Sequence, residues 1–457
     1  MAIEKIIEKL REDRPQHVER LMEWLRIPSV STDSRFQEDT RRAGEFILEE
    51  LNSAGFQTHM TDTARHPVVT ASWLGASGAP TLLVYGHYDV QPPEPIELWR
   101  HGPFEPTVEG RNLVARGATD DKGQAFALVR GISGYLREHG SLPVNVKFLI
   151  EGEEEIGSPH LESFIYEHRD EVSADIALIS DCAQFGPGIP AITVGLKGLV
   201  YLEVEVFGPN RDLHSGSFGG SVENPGNALC GIIARLKDGD GRVTIPGFYD
   251  HVRELTQDER AAIARLPFQE SEFQADLGVA ELIGEAGYTT LERRWTRPTL
   301  DVNGLLCGWT GEGAKTVLPA KASAKFSMRL VPDQDADQIR EATLAYLEEL
   351  RPPGVTLRVN PLHGAQPVLV AMAGPYMRAT ARAIKRGFGK EPVQIREGGS
   401  IPVVSTLKRV LGIDTILLGL GLPDDNTHSP NEKFNLDDFQ HGIETVAYLL
   451  EELAASQ

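Results

Sequence analysis

The segment TLLVYGHYDV, residues 81–90, combines a short apolar run with the polar residues His87 and Asp89 at its end. An apolar run of this length is typical of a strand buried on both faces of a sheet. His87 and Asp89 are two residues apart, so on an extended segment both project to the same side. Because open α/β sheets bind ligands beyond the carboxyl ends of their strands, the segment predicts a polar site at this position.

Strand and helix patterns alternate on both sides of this segment. Amphipathic helices are predicted over 14–25 and 40–51, and later helices over 124–138, 161–168, 375–388 and 436–453. Short apolar strands lie between them, in the runs VVTASWL, VNVKFLIE, DIALISD and TILLGLG. This alternation predicts an α/β fold with a mostly parallel sheet flanked by helices.

The pattern changes after residue 198. LVYLEVEVF, residues 199–207, alternates apolar and polar residues, as in a sheet with one solvated face. A long polar insertion over about 238–319 follows. The second sheet then continues with the strand ASAKFSMRLV, which precedes a helix over 335–350. We therefore expect a catalytic domain of residues 1–197 and 364–457, interrupted by a smaller α+β lid or dimerisation domain of residues 198–363.

Composition excludes several classes of protein. The 457 residues include 66 acidic and 45 basic side chains, a net charge of −21, which argues against nucleic-acid and anionic-membrane partners. Three cysteines without a CxxC pair support neither a disulfide framework nor a thiolate zinc site. The cysteine pattern, together with an N-terminus that lacks a secretory h-region, predicts a cytoplasmic protein. Glycine and proline interrupt the uncharged stretch 67–86, which predicts two buried strands and a turn.

Acidic and imidazole side chains recur at the predicted strand ends. They lie in the motifs GHYDV, RGATDDKG, EGEEEIG, ISD and GLPDDNTHSPNE. Each motif alone is more often a solvated loop, but their coincidence favours a shared site. Like charges gathered at buried strand ends need a compensating cation. Two histidines and three carboxylates suit two zinc-like ions that share one carboxylate and leave positions open for water.

The order of these motifs, together with DLHSG, AKFSMRLVP and REGGSIP, resembles the M20 family of dinuclear zinc peptidases. The resemblance is greatest to the branch of nonspecific dipeptidases and carnosinases, and the motifs span nearly the whole chain. It implies that His87 and Asp181 hold one ion, that Glu155 and His428 hold the other, and that Asp120 bridges them. Zinc is the expected metal, although His and carboxylate ligands also accept manganese or cobalt.

The resemblance also implies how the reaction proceeds. A metal-bridging hydroxide is the nucleophile, and Glu154 is the general base that later passes its proton to the leaving amine. Asp89 accepts a hydrogen bond from His87 and fixes its tautomer. A cis peptide is expected after Asp120. His214 is expected to stabilise the developing oxyanion, in relatives often across a dimer.

Further residues are expected to contact the substrate. Arg329 suits a free carboxylate because a guanidinium offers two parallel donors. Backbone amides ahead of a predicted helix could bind the same carboxylate. The complete set of predicted substrate contacts is His214, Arg329, Gly398, Gly399, Ser400, Asn303 and Thr316.

These observations predict a cytoplasmic homodimeric exopeptidase that hydrolyses dipeptides with a free carboxylate and dimerises through the inserted domain. Two alternatives stay open at this point. An N-acyl amino acid amidohydrolase or desuccinylase would use the same metals and base on another acyl group. A catalytically inactive metal-binding or scaffold protein would have the same fold.

Overall fold

The computed structural model describes residues 3–370, 373–399 and 401–456. The chain forms two compact units. The first unit comprises Met1–Val194, Val370–Ile395 and Pro402–Gln457, and the second unit comprises Gly195–Leu369 and Arg396–Ile401. The roles of catalytic domain and lid for the predicted ranges 1–197, 364–457 and 198–363 stay predictions.

The helices and strands follow one another along the chain in three groups. The first group comprises α1 (Ile3–Glu12), α2 (Arg14–Leu25), α3 (Gln37–Ser53), β1 (Gln57–Thr61), β2 (Val68–Trp73), β3 (Thr81–His87), β4 (Thr107–Glu109), β5 (Asn112–Val114), α4 (Lys122–His139), β6 (Asn145–Glu151), α5 (Leu161–Glu167), α6 (Arg169–Val172), β7 (Ile176–Ile179) and β8 (Ala191–Leu196). The second group comprises β9 (Gly198–Phe207), β10 (Leu213–His214), α7 (Ser215–Phe218), α8 (Pro225–Ile233), α9 (Gln257–Ala264), α10 (Glu270–Leu277), α11 (Thr290–Thr296), β11 (Thr299–Cys307), β12 (Val317–Leu318), β13 (Lys321–Leu330), α12 (Ala336–Leu350), β14 (Thr356–Ala365) and β15 (Val368–Leu369). The last group comprises α13 (Pro375–Phe388), β16 (Val393–Glu397), α14 (Pro402–Thr406), β17 (Asp414–Gly419), β18 (Lys433–Asn435) and α15 (Leu436–Ala454).

The strands of the first unit form most of a sheet that follows the order β1-β2-β6-β3-β7-β17-β8. Strands β6, β3, β7 and β17 are parallel to one another. The flanking pairs β1–β2, β2–β6 and β17–β8 are antiparallel. The predicted helix-flanked α/β class is confirmed, and the sheet is mixed. An apolar run buried on both faces looks the same in either direction, so the sequence pattern does not determine the direction of the flanking strands.

The uncharged stretch 67–86 forms β2 and β3 with a turn between them, as predicted. Among the described helices, none is both long and apolar enough to cross a membrane.

Helix α4 brings the chain close to the end of β3. Its side chains are buried nearly all round, and it packs against α15. Gly86, the penultimate residue of β3, allows close approach, because a Cβ there would lie 2.7 Å from Cβ of Ala125 in the first turn of α4. The end of β3 and the residues that precede α4 therefore lie side by side.

The second unit contains an antiparallel sheet in the order β11-β13-β9-β14. Helices α8 and α12 pack on one face, against apolar side chains of β9 and β13 that alternate with polar ones. The buried members of this face include Leu202, Val204, Phe326 and Met328. The alternation in residues 199–207 therefore predicts the packing of this sheet correctly.

The polar insertion expected over residues 238–319 is mostly exposed, and it also has regular secondary structure. It contains α9, α10, α11 and the edge strand β11. Helices α9 and α11 begin with capping boxes in which Thr256 pairs with Glu259 and Thr289 pairs with Glu292. A Thr followed three residues later by Glu is a sequence signal for a helix start, although α9 and α10 bury no residue that would give apolar periodicity.

A histidine without partners lies in the core of the first unit. His17 in α2 is fully buried, and neither ring nitrogen has a hydrogen-bond partner among the described residues. Burial, with the charge of Arg130 adding to it, lowers the pKa of His17 to about 3. An unfolded histidine titrates near about 6.5, so between these two pH values the unfolded chain binds more protons than the folded chain. The free energy of unfolding therefore falls as the pH falls below about 6.5.

We predict that protonation of His17 in the unfolded chain lowers the free energy of unfolding of the metal-free protein by about 2 kcal/mol between pH 7 and pH 5. Urea unfolding at the two pH values should show that His17→Leu loses this part of the pH dependence. His59→Leu, at an exposed position of β1, is the matched control and should keep it. Equal pH dependence in wild type and His17→Leu would contradict the prediction.

Candidate metal centre

The strand order explains why distant motifs meet. His87 is the last residue of β3, and Asp181 follows β7, the parallel neighbour of β3. Glu155 lies in the turn after β6, the parallel neighbour on the other side. Asp120 lies just before α4, which begins beside the end of β3. His428 lies in the loop after β17 and is 57% exposed.

The structure brings these five residues into two clusters that share Asp120. In the first, ligand atoms of His87, Asp120 and Asp181 lie within 4.8 Å of one another, and in the second the same holds for Asp120, Glu155 and His428. Oδ1 of Asp120 lies 3.2 Å from Nε2 of His87, and Oδ2 lies 2.9 Å from Nε2 of His428. One carboxylate thus presents one oxygen to each imidazole, an arrangement that suits a ligand shared by two ions. The peptide bond between Asp120 and Asp121 is cis, as the resemblance implies.

Asp89 contacts three groups of the site. Its backbone carbonyl lies 3.1 Å from Nδ1 of His87, and its carboxylate Oδ1 lies 3.4 Å from the same atom. The two carboxylate oxygens also accept the backbone N–H groups of Glu154 at 3.2 Å and Glu155 at 3.1 Å. The contact with His87 was expected from the sequence, whereas the contacts with the two amides were not. Asp89 is therefore a positioning residue for three neighbours.

The three consecutive glutamates lie in different environments. Glu153 is buried and accepts the hydroxyl of Thr63 at 2.7 Å and the backbone N–H of His66 at 2.9 Å. Glu154 is partly buried. Oε2 of Glu155 accepts Nε2–H of Gln91 at 2.7 Å, while its buried Oε1 has no hydrogen-bond partner in the described parts of the chain.

The electrostatics of the clusters show a deficit of positive charge. Burial, reinforced by the charge of Asp120, raises the pKa of Asp181 and of Glu155 well above the usual carboxyl range. Burial raises the pKa of Glu154 to about 7, with Asp120 and Asp89 adding to the effect and His87 opposing it. Burial acts against ionisation of Asp120 as well, but its contacts with His428 and His87 hold the pKa of Asp120 below its ordinary value.

These observations fit a pair of divalent cations. Nε2 of His87 is buried without a hydrogen-bond partner in the described part of the chain, although Oδ1 of Asp120 lies 3.2 Å away. The orphaned Oε1 of Glu155 belongs to the other cluster. Each cluster therefore contains a residue with a buried polar atom that lacks a hydrogen-bond partner among the described residues, and cations would also offset the crowded carboxylates.

Two polar contacts of the site were missed by the sequence analysis. Gln91 donates to Glu155, and the buried carboxylate of Glu432 accepts backbone N–H groups of the loop that carries Asp120. Glu432 stands in the quoted motif GLPDDNTHSPNE, but its burial has no signal in the sequence pattern.

The remaining predicted site residues belong to the second unit. His214 is exposed at the end of β10, and its Nδ1 accepts the backbone N–H of Gly216 at 3.1 Å. An imidazole that accepts at Nδ1 carries its proton on Nε2, which leaves Nε2–H as a donor. Arg329 lies in β13, where partial burial lowers its pKa.

The other predicted substrate contacts have fewer structural features. Asn303 and Thr316 are exposed, and Gly398 and Gly399 lie in the bend after β16. Ser400 lies outside the described residues. Contact of these residues with substrate stays a prediction.

A helix-flanked α/β sheet with two joined clusters of imidazoles and carboxylates at its strand ends is typical of metal-dependent hydrolases. Residues 83–452 match the family described as Peptidase family M20/M25/M40. The chain belongs to this peptidase family. The predicted family and the assignment as an enzyme are therefore confirmed.

Full-length relatives agree with this assignment. The Cys-Gly metallodipeptidase of Schizosaccharomyces pombe is 32% identical over 472 residues, which cover 100% of this chain and 99% of that protein. The structure of human carnosine dipeptidase 1 has a TM-score of 0.87 at 30% identity and covers 100% of this chain and 99% of its own. The structure of the M20 family metallo-carboxypeptidase of Sulfolobus solfataricus has a TM-score of 0.88 at 35% identity, with coverage of 96% and 99%.

Proposed function

We propose that this peptidase hydrolyses the peptide bond of dipeptides with the help of two divalent metal ions. The observation that carries the proposal is the Asp120 carboxylate, which presents one oxygen to His87 and the other to His428. The names of the full-length relatives, a Cys-Gly metallodipeptidase and a carnosine dipeptidase, support a dipeptide substrate.

The five clustered residues supply the ligands of both ions. His87 and Asp181 would hold one ion, Glu155 and His428 would hold the other, and Asp120 would contribute to both. When bound, the two ions would lower the pKa of the attacking water and polarise the scissile carbonyl. Zinc is the proposed metal, and manganese or cobalt suits the same oxygen and nitrogen ligands.

Glu154 transfers the proton. Its carboxylate is partly buried beside the two clusters and belongs to neither of them, so it is placed to accept and release a proton rather than to bind a metal. It takes the proton of the attacking water and then passes it to the amine that leaves. Asp89 fixes the position of this step because it binds the backbone amides of Glu154 and of its neighbour Glu155.

The second unit supplies substrate contacts in this proposal. The Nε2–H of His214 stabilises the oxyanion that develops at the scissile carbonyl. Arg329, with the backbone amides of Gly398 and Gly399, binds the free carboxylate of the dipeptide. Ser400, Asn303 and Thr316 complete the proposed substrate contacts. We propose further that the enzyme is a cytoplasmic homodimer joined through the second unit.

A substrate panel combined with metal removal tests this function. After treatment with a chelator, the enzyme should lose dipeptide hydrolysis and regain it when zinc, manganese or cobalt is added. Dipeptides with an amidated C-terminus should react about 10- to 100-fold more slowly, because the charged contact with the carboxylate is lost.

The same panel separates the alternatives. It includes N-acetyl and N-succinyl amino acids, which an amidohydrolase or desuccinylase would prefer. N-blocked longer peptides test for carboxypeptidase activity, which the name of the Sulfolobus relative raises. Preference for either group over free dipeptides would contradict the proposed substrate class. A metal-loaded enzyme that cleaves nothing in the panel would favour the inactive scaffold.

A further inference from the structure

One buried carboxylate is hydrogen-bonded along the loop that carries Asp120. Oε1 of Glu432 accepts the backbone N–H groups of Thr119 at 2.9 Å and Asp120 at 3.0 Å. Oε2 accepts the backbone N–H of Gly117 at 3.0 Å and Nη1–H of Arg116 at 2.8 Å. Each oxygen thus has two donors, which together fill the acceptor sites of an ionised carboxylate.

The same residue belongs to the segment that carries the second imidazole. Glu432 follows His428 by four residues, and its backbone carbonyl accepts the N–H of Ala115 at 3.0 Å. Three non-glycine residues of this segment, Asn426, His428 and Asn431, have left-handed backbone conformations, with φ of 57°, 60° and 63°. Such conformations persist where surrounding contacts hold them. Glu432 therefore joins the backbone around His428 to the backbone around Asp120.

The carboxylate of Glu432 forms a buried ion pair with Arg116. Glu432 is 0% exposed and Arg116 is 1% exposed. The guanidinium of Arg116 also donates to the carbonyl of Pro92 at 3.1 Å and lies 5.5 Å from the centre of the Trp99 ring. A buried ion pair adds little stability compared with apolar side chains of the same volume. The ion pair of Glu432 with Arg116 therefore acts mainly by fixing the orientation of the loop that carries Asp120.

We propose that Glu432 is a positioning residue that aligns Asp120 and His428, and thereby sets the affinity of both metal sites. This inference rests on the proposed metal centre. Asp120 belongs to both clusters. Displacement of its loop should therefore weaken the binding of both ions rather than of one.

Glu432→Gln tests the inference at nearly constant volume. The amide replaces one oxygen with an NH2 group, which would face two N–H donors instead of accepting from them. Residues that orient metal ligands typically contribute about 10- to 100-fold to metal affinity. We expect both dissociation constants for Zn²⁺ to rise by about this factor.

The measurement is a titration of the metal-free full-length protein with Zn²⁺ alone, in competition with a chromophoric chelator. The visible absorption of the Co²⁺-loaded protein provides a second readout, because it reports the ligand geometry. Glu285→Gln is the matched control. Glu285 is a buried carboxylate of the second unit that accepts Nε–H and Nη2–H of Arg297, both at 2.8 Å. This control loses a comparable ion pair and should keep wild-type metal affinity and the wild-type Co²⁺ spectrum.

Wild-type zinc affinities and an unchanged Co²⁺ spectrum in Glu432→Gln would overturn the inference. If circular dichroism shows that Glu432→Gln does not fold, Arg116→Lys replaces it, because it keeps the backbone bonds to Glu432 and loses the guanidinium contacts. Arg116→Lys should weaken the binding of both ions to a smaller extent than Glu432→Gln. Unchanged zinc affinity in this variant would again overturn the inference. A wild-type protein that binds no Zn²⁺ would overturn the proposed function itself, which keeps the two failures distinguishable.

Discussion

Glu154→Gln is expected to lower kcat by about 10²- to 10⁴-fold while both metal ions stay bound. The glutamine keeps the size of the side chain and the backbone N–H that Asp89 accepts, but it cannot take a proton from the attacking water. Steady-state kinetics with a dipeptide, together with metal analysis by atomic emission, measure the two effects separately.

Glu155→Gln is the matched comparison at the adjacent position. Glu155 belongs to the cluster with His428, so this variant should lose metal as well as activity. Substantial dipeptide hydrolysis by Glu154→Gln would show that another group is the base. Loss of metal from Glu154→Gln would instead place this residue among the ligands.

Asp120→Asn is expected to reduce the bound metal at both sites and to lower kcat/KM by at least about 100-fold. Asparagine offers one acceptor oxygen, so its NH2 group would face either His87 or His428. In the wild type, both carboxylate oxygens contact an imidazole, at 3.2 Å and 2.9 Å. Metal content after gel filtration and dipeptide kinetics at rising metal concentration measure the effect.

Asp424→Asn is the control for this prediction. Asp424 lies in the same loop as His428, is exposed, and contacts Nζ of Lys433 at 3.0 Å. Its replacement should leave metal content and kinetics unchanged. If Asp120→Asn bound both ions with normal affinity, Asp120 would not be the shared ligand.

Much of the first unit could be predicted from the sequence because its signals are local. The final helix was expected over 436–453 and is observed as α15, Leu436–Ala454. His87 and Asp181 directly follow apolar runs, and such positions lie together at one edge when the strands are parallel neighbours. The clustering of the five proposed ligands follows from this topology, and their order along the chain is the order of the family motifs.

Other features depend on the path of the chain in three dimensions. The contacts of Asp89 with two amides, and of Glu432 with the loop before α4, join residues whose spacing gives no periodic pattern. Helices α9 and α10 bury no side chain, so apolar periodicity could not reveal them. For α9, the capping box at Thr256 is the signal that the sequence contains.

The turn after β6 also constrains how this chain can vary in length. Glu153 anchors the turn through Thr63 and His66, whereas Glu155 reaches the clustered ligands two positions later. Inserting or deleting one residue here would shift each carboxylate into its neighbour's environment, so that the anchor, the proposed base and the proposed ligand would each lie one position out of place. Among active relatives, this stretch should therefore tolerate changes of residue type around the glutamates far better than any change in the number of residues.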